Sequence, residues 1–402
     1  MSDFFQSGVI ATFHRLKEQN PETLEADIIE FSQNKGITLV LPSLFSELYG
    51  PGLKTITEEL KKVKYLQEIV VTLGPTTNEQ FPVIKEHFAQ LPQKVSMIWN
   101  SGSRIEALYD ELTKHNLNPG PDGKGRSAWL AYGYILAKRD SRVIALHDCD
   151  IITYTRSMLD WLVYPVVSDK SNYEFCKGYY PRITDKMHGR ATRLFVTPLI
   201  RALMKVVGYK DILRYFNSFR YILAGEFSMT TELASINRIP ADWGLEVGVL
   251  AEIYRNSSLQ RICQSELCDN YEHKHQDLSA DDKNKGLNKM AIDIAKSFFR
   301  TLAAEGVVYN TGFFKSLQTA YQKEAEDFIT RYRGDAMING LQYDQHEEEF
   351  AVEVFTNAIK TAAEIIIKDP LGPPLIPNWT RVFSAIPDFD QKLLDAVGLD
   401  NQ

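Results

Sequence analysis

Short apolar runs alternate with amphipathic stretches along the first half of the chain, a pattern that is typical of α/β proteins. The runs are continuous and rich in β-branched residues, as expected for strands buried on both faces of a mainly parallel sheet. They span residues 37–41, 68–73, 95–100 and 142–147. Between the last two runs, apolar residues recur at helical spacing and predict a helix over residues 127–137.

Apolar stripes with a 3.6-residue period dominate the chain beyond about residue 283, where the β-branched runs stop. They indicate helices that end before Gly306 and Asp369, with core or dimer contacts along the stripes. The proline-rich segment 371–377 cannot be helical and is expected to wrap over a surface. The predicted units are an N-terminal extension packing on the core over residues 1–36, an α/β domain over 37–282 with halves at about 37–150 and 151–282, and a helical C-terminal extension over 283–402.

The composition narrows the classes of function. The 402 residues include 45 Lys and Arg against 52 Asp and Glu, a net charge of -7, which argues against a general nucleic-acid binder. No apolar run reaches the ~18 residues that a membrane span needs, and the first residues do not resemble a signal peptide. We therefore expect no membrane partner and a cytoplasmic location. The four cysteines are too few for a disulfide framework and are expected to be free thiols.

An acidic pair directly follows the predicted strand at 142–147. Asp148 and Asp150 would lie outside the carboxyl end of this strand, where ligands bind in open α/β sheets. A chain that turns there can bring both carboxylates close to one hard divalent cation. The alternative is that both residues only cap a turn. The spacing alone is weakly specific, since Asp388 and Asp390 repeat it in a segment that follows no strand.

A glycine-rich segment, PGPDGKGR at 119–126, precedes the predicted helix. Gly123 would let backbone N–H groups approach an anion, the helix N-terminus adds partial positive charge, and Lys124 adds a full charge. The spacing matches neither a Walker A loop nor the GxGxxG of dinucleotide-binding units. The alternative is an ordinary turn.

Two further segments carry side chains suited to metal or anion binding. His273 and His275 stand two residues apart in YEHKHQ, so one could reach a metal while the other packs or contacts substrate. A solvated charged loop is the alternative. Arg190 offers a planar fork to a carboxylate or phosphate, and its neighbours Gly189 and Thr192 add backbone and hydroxyl donors. The alternative is a solvated charge that opens a surface helix.

Two acids stand among small and apolar neighbours, Glu226 in LAGEFS and Glu246 in WGLEVGVL. A carboxylate is costly to bury unless it is paired, which makes both of them better functional candidates than acids on helix faces. The alternative is a structural ion pair with a nearby arginine.

Taken in chain order, eight segments resemble one family. They are LPSLFSE, PDGKGRSAW, VIALHDCD, CKGYYPR, GRATRL, LAGEFS, WGLEVGVL and the HKH loop. Together they are similar to the retaining glucosyl-3-phosphoglycerate synthases and their mannosyl-transferring relatives, over residues 37–278. The resemblance implies an α/β fold of the GT-A type, the nucleotide-diphospho-sugar transferase fold, with a mixed, mainly parallel sheet flanked by helices.

The resemblance also implies roles for individual residues. Those implied to hold the donor are Pro42, Ser43, Leu44, Glu47, Gly123, Lys124, Asp148 and Cys149. A divalent ion, Mg²⁺ or Mn²⁺, would be held by Asp150 and His273. The residues implied to bind the acceptor are Gly189, Arg190, Ala191, Thr192 and His275. Glu246 and the backbone near Leu223 would face the sugar and stabilise positive charge at its anomeric carbon.

The activity implied is retaining, metal-dependent transfer of a hexose, glucose in the first place, from a nucleoside-diphosphate sugar to 3-phosphoglycerate, as in synthesis of the compatible solute glucosylglycerate. The implied partners are that donor, the small phosphorylated acid acceptor and a second copy of the chain in a homodimer. Mannosyl transfer and transfer onto a glucosylated acceptor are alternatives within the class. Outside it stand a sugar-phosphate nucleotidyltransferase and a non-catalytic helical interaction module.

Overall fold

The computed structural model describes residues 6, 8–17, 19–34, 36–273, 286–372 and 374–402. Within these ranges its centre is one sheet of eight strands. In chain order they are β1 Ala11–Phe13, β2 Ile37–Ser43, β3 Leu66–Leu73, β4 Val95–Trp99, β5 Val143–Leu146, β6 Phe175–Tyr179, β7 Phe227–Thr230 and β8 Ile262–Glu266. Across the sheet the order is β1-β8-β6-β7-β5-β2-β3-β4, and β7 runs antiparallel to both of its neighbours while the other pairs are parallel.

The four strands predicted from apolar runs are confirmed as β2 to β5, with ends that differ by one or two residues. Strand β2 shows why these runs are continuous. Leu39 and Leu41 pack into the core on one face of the sheet, and Val40 packs into the core on the other. Because both faces are covered, apolar residues are needed at every position of such a strand.

Helices cover both faces of the sheet. Those on the face that buries Leu39 are α1 Pro21–Ser32, α2 Pro51–Leu60, α3 Gln80–Phe88 and α6 Arg156–Val167. Those on the face that buries Val40 are α4 Ser103–Lys114, α5 Lys124–Lys138, α7 Thr197–Val207, α8 Asp211–Ser218, α9 Thr231–Ile236, α10 Leu245–Asn256, α11 Gly286–Ala304, α12 Thr311–Ile338, α13 Gln345–Lys368, α14 Trp379–Ala385 and α15 Phe389–Asn401. The predicted helix at 127–137 is confirmed within α5, and the two predicted stripes lie in α11 and α13. In the part of the chain that the structure describes, no helix combines the length and apolar character that a membrane crossing requires.

The segment that joins α13 to α14 is anchored to α5. The indole N–H of Trp129 donates to the carbonyl of Pro377 at 2.7 Å, and that of Trp379 donates to the carbonyl of Trp129 at 2.8 Å. The two indole rings stack with their centroids 4.2 Å apart. A Cβ atom on Gly133 would lie 2.0 Å from the ring of Trp379, so only glycine allows this approach. The C-terminal helices are therefore fixed to the helix that begins at Lys124.

The two edges of the sheet are formed by β1 and β4. Strand β1 comes from the predicted N-terminal extension and pairs with β8. On β4, the side-chain amide of Asn401 accepts from the backbone N–H of Met97 at 2.9 Å and donates to the Met97 carbonyl at 2.8 Å. Residues from both predicted extensions thus contact the central sheet, and the division into three units stays a prediction.

Candidate active site

A cavity of about 990 Å³ opens at the edge of the sheet where the parallel strands end. Ser43 at the end of β2 and Asp148 just after β5 lie in its wall, and Gly225, just before the antiparallel β7, reaches the same edge. This is the place where open α/β sheets bind ligands. The predicted site residues that line the cavity are Pro42, Ser43, Leu44, Glu47, Gly123, Lys124, Asp148, Cys149, Asp150, Gly189, Arg190, Ala191, Thr192, Leu223, Glu246 and His273. His275 lies outside the described residues.

Lys124 joins two carboxylates at the centre of the cavity. Its Nζ lies 2.6 Å from Oδ1 of Asp148 and 3.3 Å from Oε1 of Glu246. Burial alone would raise the pKa of Asp148, but the charge of Lys124 outweighs it and lowers this pKa. Burial would lower the pKa of Lys124, and the two carboxylates outweigh it and raise that pKa instead. Asp148 and Lys124 are therefore both charged at neutral pH.

Local structure explains how these three residues meet. Lys124 is the first residue of α5, directly after Gly123, and Glu246 lies in the first turn of α10. A Cβ atom on Gly225 would lie 2.4 Å from a carboxylate oxygen of Asp148, so a side chain there would displace the acid. The predicted glycine-lysine loop thus lies at a helix N-terminus as expected, but its lysine is paired with protein carboxylates.

Asp150 and His273 form a second pair. Oδ2 of Asp150 lies 3.4 Å from Nδ1 of His273, and each side chain is 25% exposed. The histidine segment is tied to the chain that follows Asp150, because the backbone N–H of Ile152 donates to the carbonyl of Glu272 at 2.8 Å. The N–H of Glu272 in turn donates to Oγ1 of Thr153 at 3.0 Å.

The Asp150–His273 pair fits a divalent cation that is also held by substrate. Within the described residues no cluster of three or more His, Cys, Asp or Glu side chains is suited to hold a metal. Magnesium commonly binds through one or two carboxylates together with substrate phosphates and water, so two protein ligands suffice for such a site. An imidazole beside the carboxylate suits Mn²⁺ equally.

The charges of the cavity lining also favour a cation. Its cationic side chains are Lys124, Arg182, Lys186, Arg190 and Arg193, whereas its acidic ones are Glu47, Asp122, Asp148, Asp150, Glu246, Asp344, Glu347 and Glu348. Among the lining residues that the structure describes, Asp and Glu thus outnumber Lys and Arg by eight to five. A diphosphate would be repelled by this excess unless a cation accompanied it.

The segment predicted to bind the acceptor forms the far wall of the cavity. Gly189 has φ of +72°, a conformation that favours glycine, and the chain then enters a π-helical turn over Ala191–Val196. The hydroxyl oxygen of Thr192 is buried and has no hydrogen-bond partner among the described residues. Arg190 is bonded to Glu347 at 3.0 Å and to Glu348 at 3.1 Å. It is therefore paired with carboxylates and is not the solvated surface charge that was the alternative.

Glu226 lies in a buried cluster beneath the cavity. It accepts hydrogen bonds from the hydroxyls of Tyr180 at 2.6 Å and Tyr271 at 2.7 Å, whose rings stack 3.8 Å apart. Burial raises the pKa of Glu226. Burial also lowers the pKa of the neighbouring Lys177 to about 8, although Glu246 and Glu226 oppose this shift. Among the described residues, Glu226 thus meets two tyrosine hydroxyls and Glu246 meets Lys124, and neither forms the arginine pair that was the alternative.

Sequence reasoning missed the part of the lining that comes from the C-terminal helices. These residues are Leu287, Met290, Ile294, Gln342, Tyr343, Asp344, Glu347 and Glu348. Met290 and Ile294 belong to the apolar stripe of α11, which the sequence predicts only as core or dimer contact. Asp344 caps the N-terminus of α13, and Glu347 and Glu348 lie in its first turn. Acids are common at such positions because they cap the helix and interact favourably with its dipole.

No protein-family model matches the sequence. The chain is 46% identical over 401 residues to the glucosyl-3-phosphoglycerate synthase of Persephonella marina, a match that covers 100% of this chain and 99% of the relative. It is 40% identical over 402 residues to the glucosyl-3-phosphoglycerate synthase of Methanococcoides burtonii, covering 98% and 97% of the two chains.

The fold is similar to solved structures of glucosyl-3-phosphoglycerate synthase from Mycobacterium tuberculosis. The one in complex with Mn²⁺, UDP-glucose and phosphoglyceric acid has a TM-score of 0.54 at 18% identity and covers 76% of this chain and 90% of that chain. The same protein has also been solved with Mg²⁺ and UDP. These likenesses confirm the predicted GT-A fold.

Proposed function

Because the chain belongs to the glucosyl-3-phosphoglycerate synthases, which are glycosyltransferases, we propose that its cavity transfers glucose from UDP-glucose to 3-phosphoglycerate with retention at the anomeric carbon. One observation supports this proposal above the others. A lysine–carboxylate trio, an aspartate–histidine pair and an arginine-bearing loop face one cavity of about 990 Å³. Such a cavity can hold a nucleotide sugar and a small anion side by side.

The donor end is proposed to hold the nucleotide at Pro42, Ser43, Leu44 and Glu47, with its diphosphate beside Lys124. Asp150 and His273 would hold Mg²⁺ or Mn²⁺. When bound, this ion supplies Lewis-acid charge stabilisation for the departing diphosphate. Cys149 lies between the two acids in the sequence, and its side chain is buried. Burial raises the pKa of its thiol, so the thiol stays neutral and serves only to fill space.

The sugar is proposed to lie between Glu246 and the backbone near Leu223. The transition state of glycosyl transfer carries positive charge at the anomeric carbon, and a fixed carboxylate stabilises this charge. Lys124 holds Glu246 from one side and thereby fixes its position.

The acceptor end is proposed to use the segment Gly189 to Thr192. A guanidinium presents parallel N–H donors that match a phosphate, and Arg190 supplies such a group. The buried hydroxyl of Thr192 supplies another donor. The acceptor hydroxyl would then face the sugar across the cavity.

A donor-by-acceptor panel tests this function. The full chain is incubated with Mg²⁺, with UDP-glucose, ADP-glucose or GDP-mannose, and with 3-phosphoglycerate or its glucosylated form. We expect UDP release and a product mass of glucosyl-3-phosphoglycerate from the first donor and first acceptor. A mannosylated product would replace the donor assignment, and consumption of the sugar nucleotide only in the presence of pyrophosphate would indicate a nucleotidyltransferase and contradict the proposal.

A homodimer is also proposed, and exposed apolar side chains at the end of α12 support it. Met337 is 70% exposed and Ile338 is 85% exposed. We expect light scattering to give twice the chain mass and a double substitution, Met337→Lys with Ile338→Lys, to give the single mass. Val308→Lys is the control, since this 81% exposed residue lies before the opposite end of α12, roughly 40 Å away. A single mass for the unsubstituted protein would contradict the dimer.

A cytoplasmic location stays a proposal. Both proposed substrates are charged, phosphorylated molecules that do not cross a bilayer unaided, and this supports an enzyme in the compartment where such molecules are made.

A further inference from the structure

The loop between α12 and α13 contacts the residues that precede the acceptor segment, although the two regions are far apart in the sequence. The backbone N–H of Gln342 donates to the carbonyl of Asp185 at 2.8 Å, and Gln342 forms an isolated parallel bridge with Lys186. From α12, the ring of Tyr332 packs under the guanidinium of Arg193 at 4.9 Å. The C-terminal helices therefore form part of the wall against which an acceptor would bind.

Glu348 makes the densest set of contacts between the two regions. Its side chain is only 7% exposed, and one oxygen accepts from Nε of Arg190 and from Nη2 of Arg193, each at 3.1 Å. The other oxygen accepts from Nη1 of Arg193 at 2.7 Å. Three charge-assisted hydrogen bonds to one buried carboxylate fix the orientation of both arginines.

Arg193 passes this constraint on to the backbone. Its Nε donates to the carbonyl of His188 at 2.9 Å, and its Nη2 donates to the carbonyl of Met187 at 3.3 Å. These two carbonyls immediately precede Gly189, where the chain turns through a positive φ. Glu348 thus acts both on the guanidinium of Arg190 and, through Arg193, on the turn that presents it.

Glu347 contacts the same guanidinium but in a different setting. Its side chain is 57% exposed and accepts from Nη2 of Arg190 at 3.0 Å. A solvent-exposed ion pair of this kind is weak and readily exchanged. A phosphate that approaches Arg190 from the cavity can replace this carboxylate without disturbing the bonds of Glu348.

On the basis of the proposed function, we propose that Glu348 is the positioning residue of the acceptor site and that Glu347 is the counter-ion which the acceptor phosphate displaces. Glu348 does not touch the acceptor. It holds Arg190 and the turn before it in the geometry that receives the phosphate. The helical C-terminal extension is then a functional part of the acceptor site.

The proposal predicts that Glu→Gln has opposite effects on the acceptor KM at these two positions. Glu348→Gln keeps the shape of the side chain but turns an NH₂ group toward a guanidinium, which has only donors. We expect a rise in the KM for 3-phosphoglycerate of roughly tenfold to a hundredfold, as expected from losing one or two charge-assisted hydrogen bonds. Glu347→Gln removes the competing charge and should lower this KM by about two- to fivefold.

The experiment compares these variants in the full chain with a matched control, Glu349→Gln. Glu349 follows directly in α13, is exposed, and contacts Gln345 at 2.8 Å. Donor and acceptor KM, kcat and melting temperature are measured for each protein. Arg193→Lys tests the same contact from the other side and replaces the fork by a single donor group, in case Glu348→Gln folds poorly.

A rise in acceptor KM for Glu348→Gln, with donor KM within about twofold and the control unchanged, supports the proposal. Unchanged acceptor KM, or an equal loss of donor and acceptor parameters with a lowered melting temperature, overturns it. Calorimetry with 3-phosphoglycerate in the presence of UDP and Mg²⁺ gives the same comparison without turnover. If the unsubstituted protein binds 3-phosphoglycerate but transfers no sugar, the proposed function fails. The order of the variants in affinity for 3-phosphoglycerate then still tests the role of Glu348.

Discussion

Replacing Asp150 by asparagine is expected to remove nearly all transfer activity. The amide keeps the size of the side chain but loses the charge that attracts a divalent ion. Without that ion, the excess of acids among the described lining residues would repel the diphosphate. We expect kcat/KM for the donor to fall by about 10³-fold or more, since a metal ion stabilises the leaving charge by several kcal/mol. The measurement is initial rate against Mg²⁺ and against Mn²⁺ concentration.

The chain supplies a matched control for this substitution. Asp390 and Asp388 form an acidic pair of the same spacing, but Asp390 lies in the first turn of α15. It pairs at 3.3 Å with Arg139, whose side chain is 79% exposed. Asp390→Asn should leave kcat/KM within about twofold, as exposed pairs contribute little. If Asp150→Asn retains full transfer activity, the metal assignment is wrong.

Replacing Lys124 by methionine should have the next largest effect. Methionine keeps most of the length of the side chain and removes the charge that holds Asp148 at 2.6 Å and Glu246 at 3.3 Å. Two uncompensated carboxylates would then repel the diphosphate, and Glu246 would lose its fixed position. We expect a fall in kcat/KM of about 10²- to 10³-fold, which is typical for loss of one preorganised electrostatic group.

Kinetics and calorimetry separate the two parts of the Lys124 effect. UDP binding measured in the presence of Mg²⁺ reports on the diphosphate, and kcat at saturating donor reports on the position of Glu246. Lys114→Met is the control, because this lysine is exposed in the last turn of α4. A change of less than about threefold in both quantities would show that Lys124 serves only the stability of the fold.

The sheet and the position of Asp148, Asp150 and Gly123 at the cavity could be predicted from the sequence because their signals are local. A continuous β-branched run predicts a buried strand, and the acids that follow it must lie at its carboxyl end, as Asp148 and Asp150 do. The loop at Gly123 likewise precedes its helix by chain order alone. These inferences need no knowledge of which distant residues meet.

The electrostatic partners could not be predicted in the same way. Lys124 meets Glu246 across 122 residues, and Arg190 meets Glu348 across 158 residues. No periodicity connects such positions, and the acids at the start of α13 have an ordinary explanation as helix-capping residues. The sequence therefore indicates the charged groups of the cavity but not which distant residues pair with them.

The contact of Asn401 with β4 bears on how copies of the chain can associate. A sheet edge with free backbone groups is a template onto which another molecule can add a strand. At Met97 both backbone groups are already taken by one side-chain amide, which imitates the next strand. A second copy therefore meets a blocked edge there, so that assembly through continuous sheets is disfavoured on this side, and substitution of Asn401 would reopen it to aggregation.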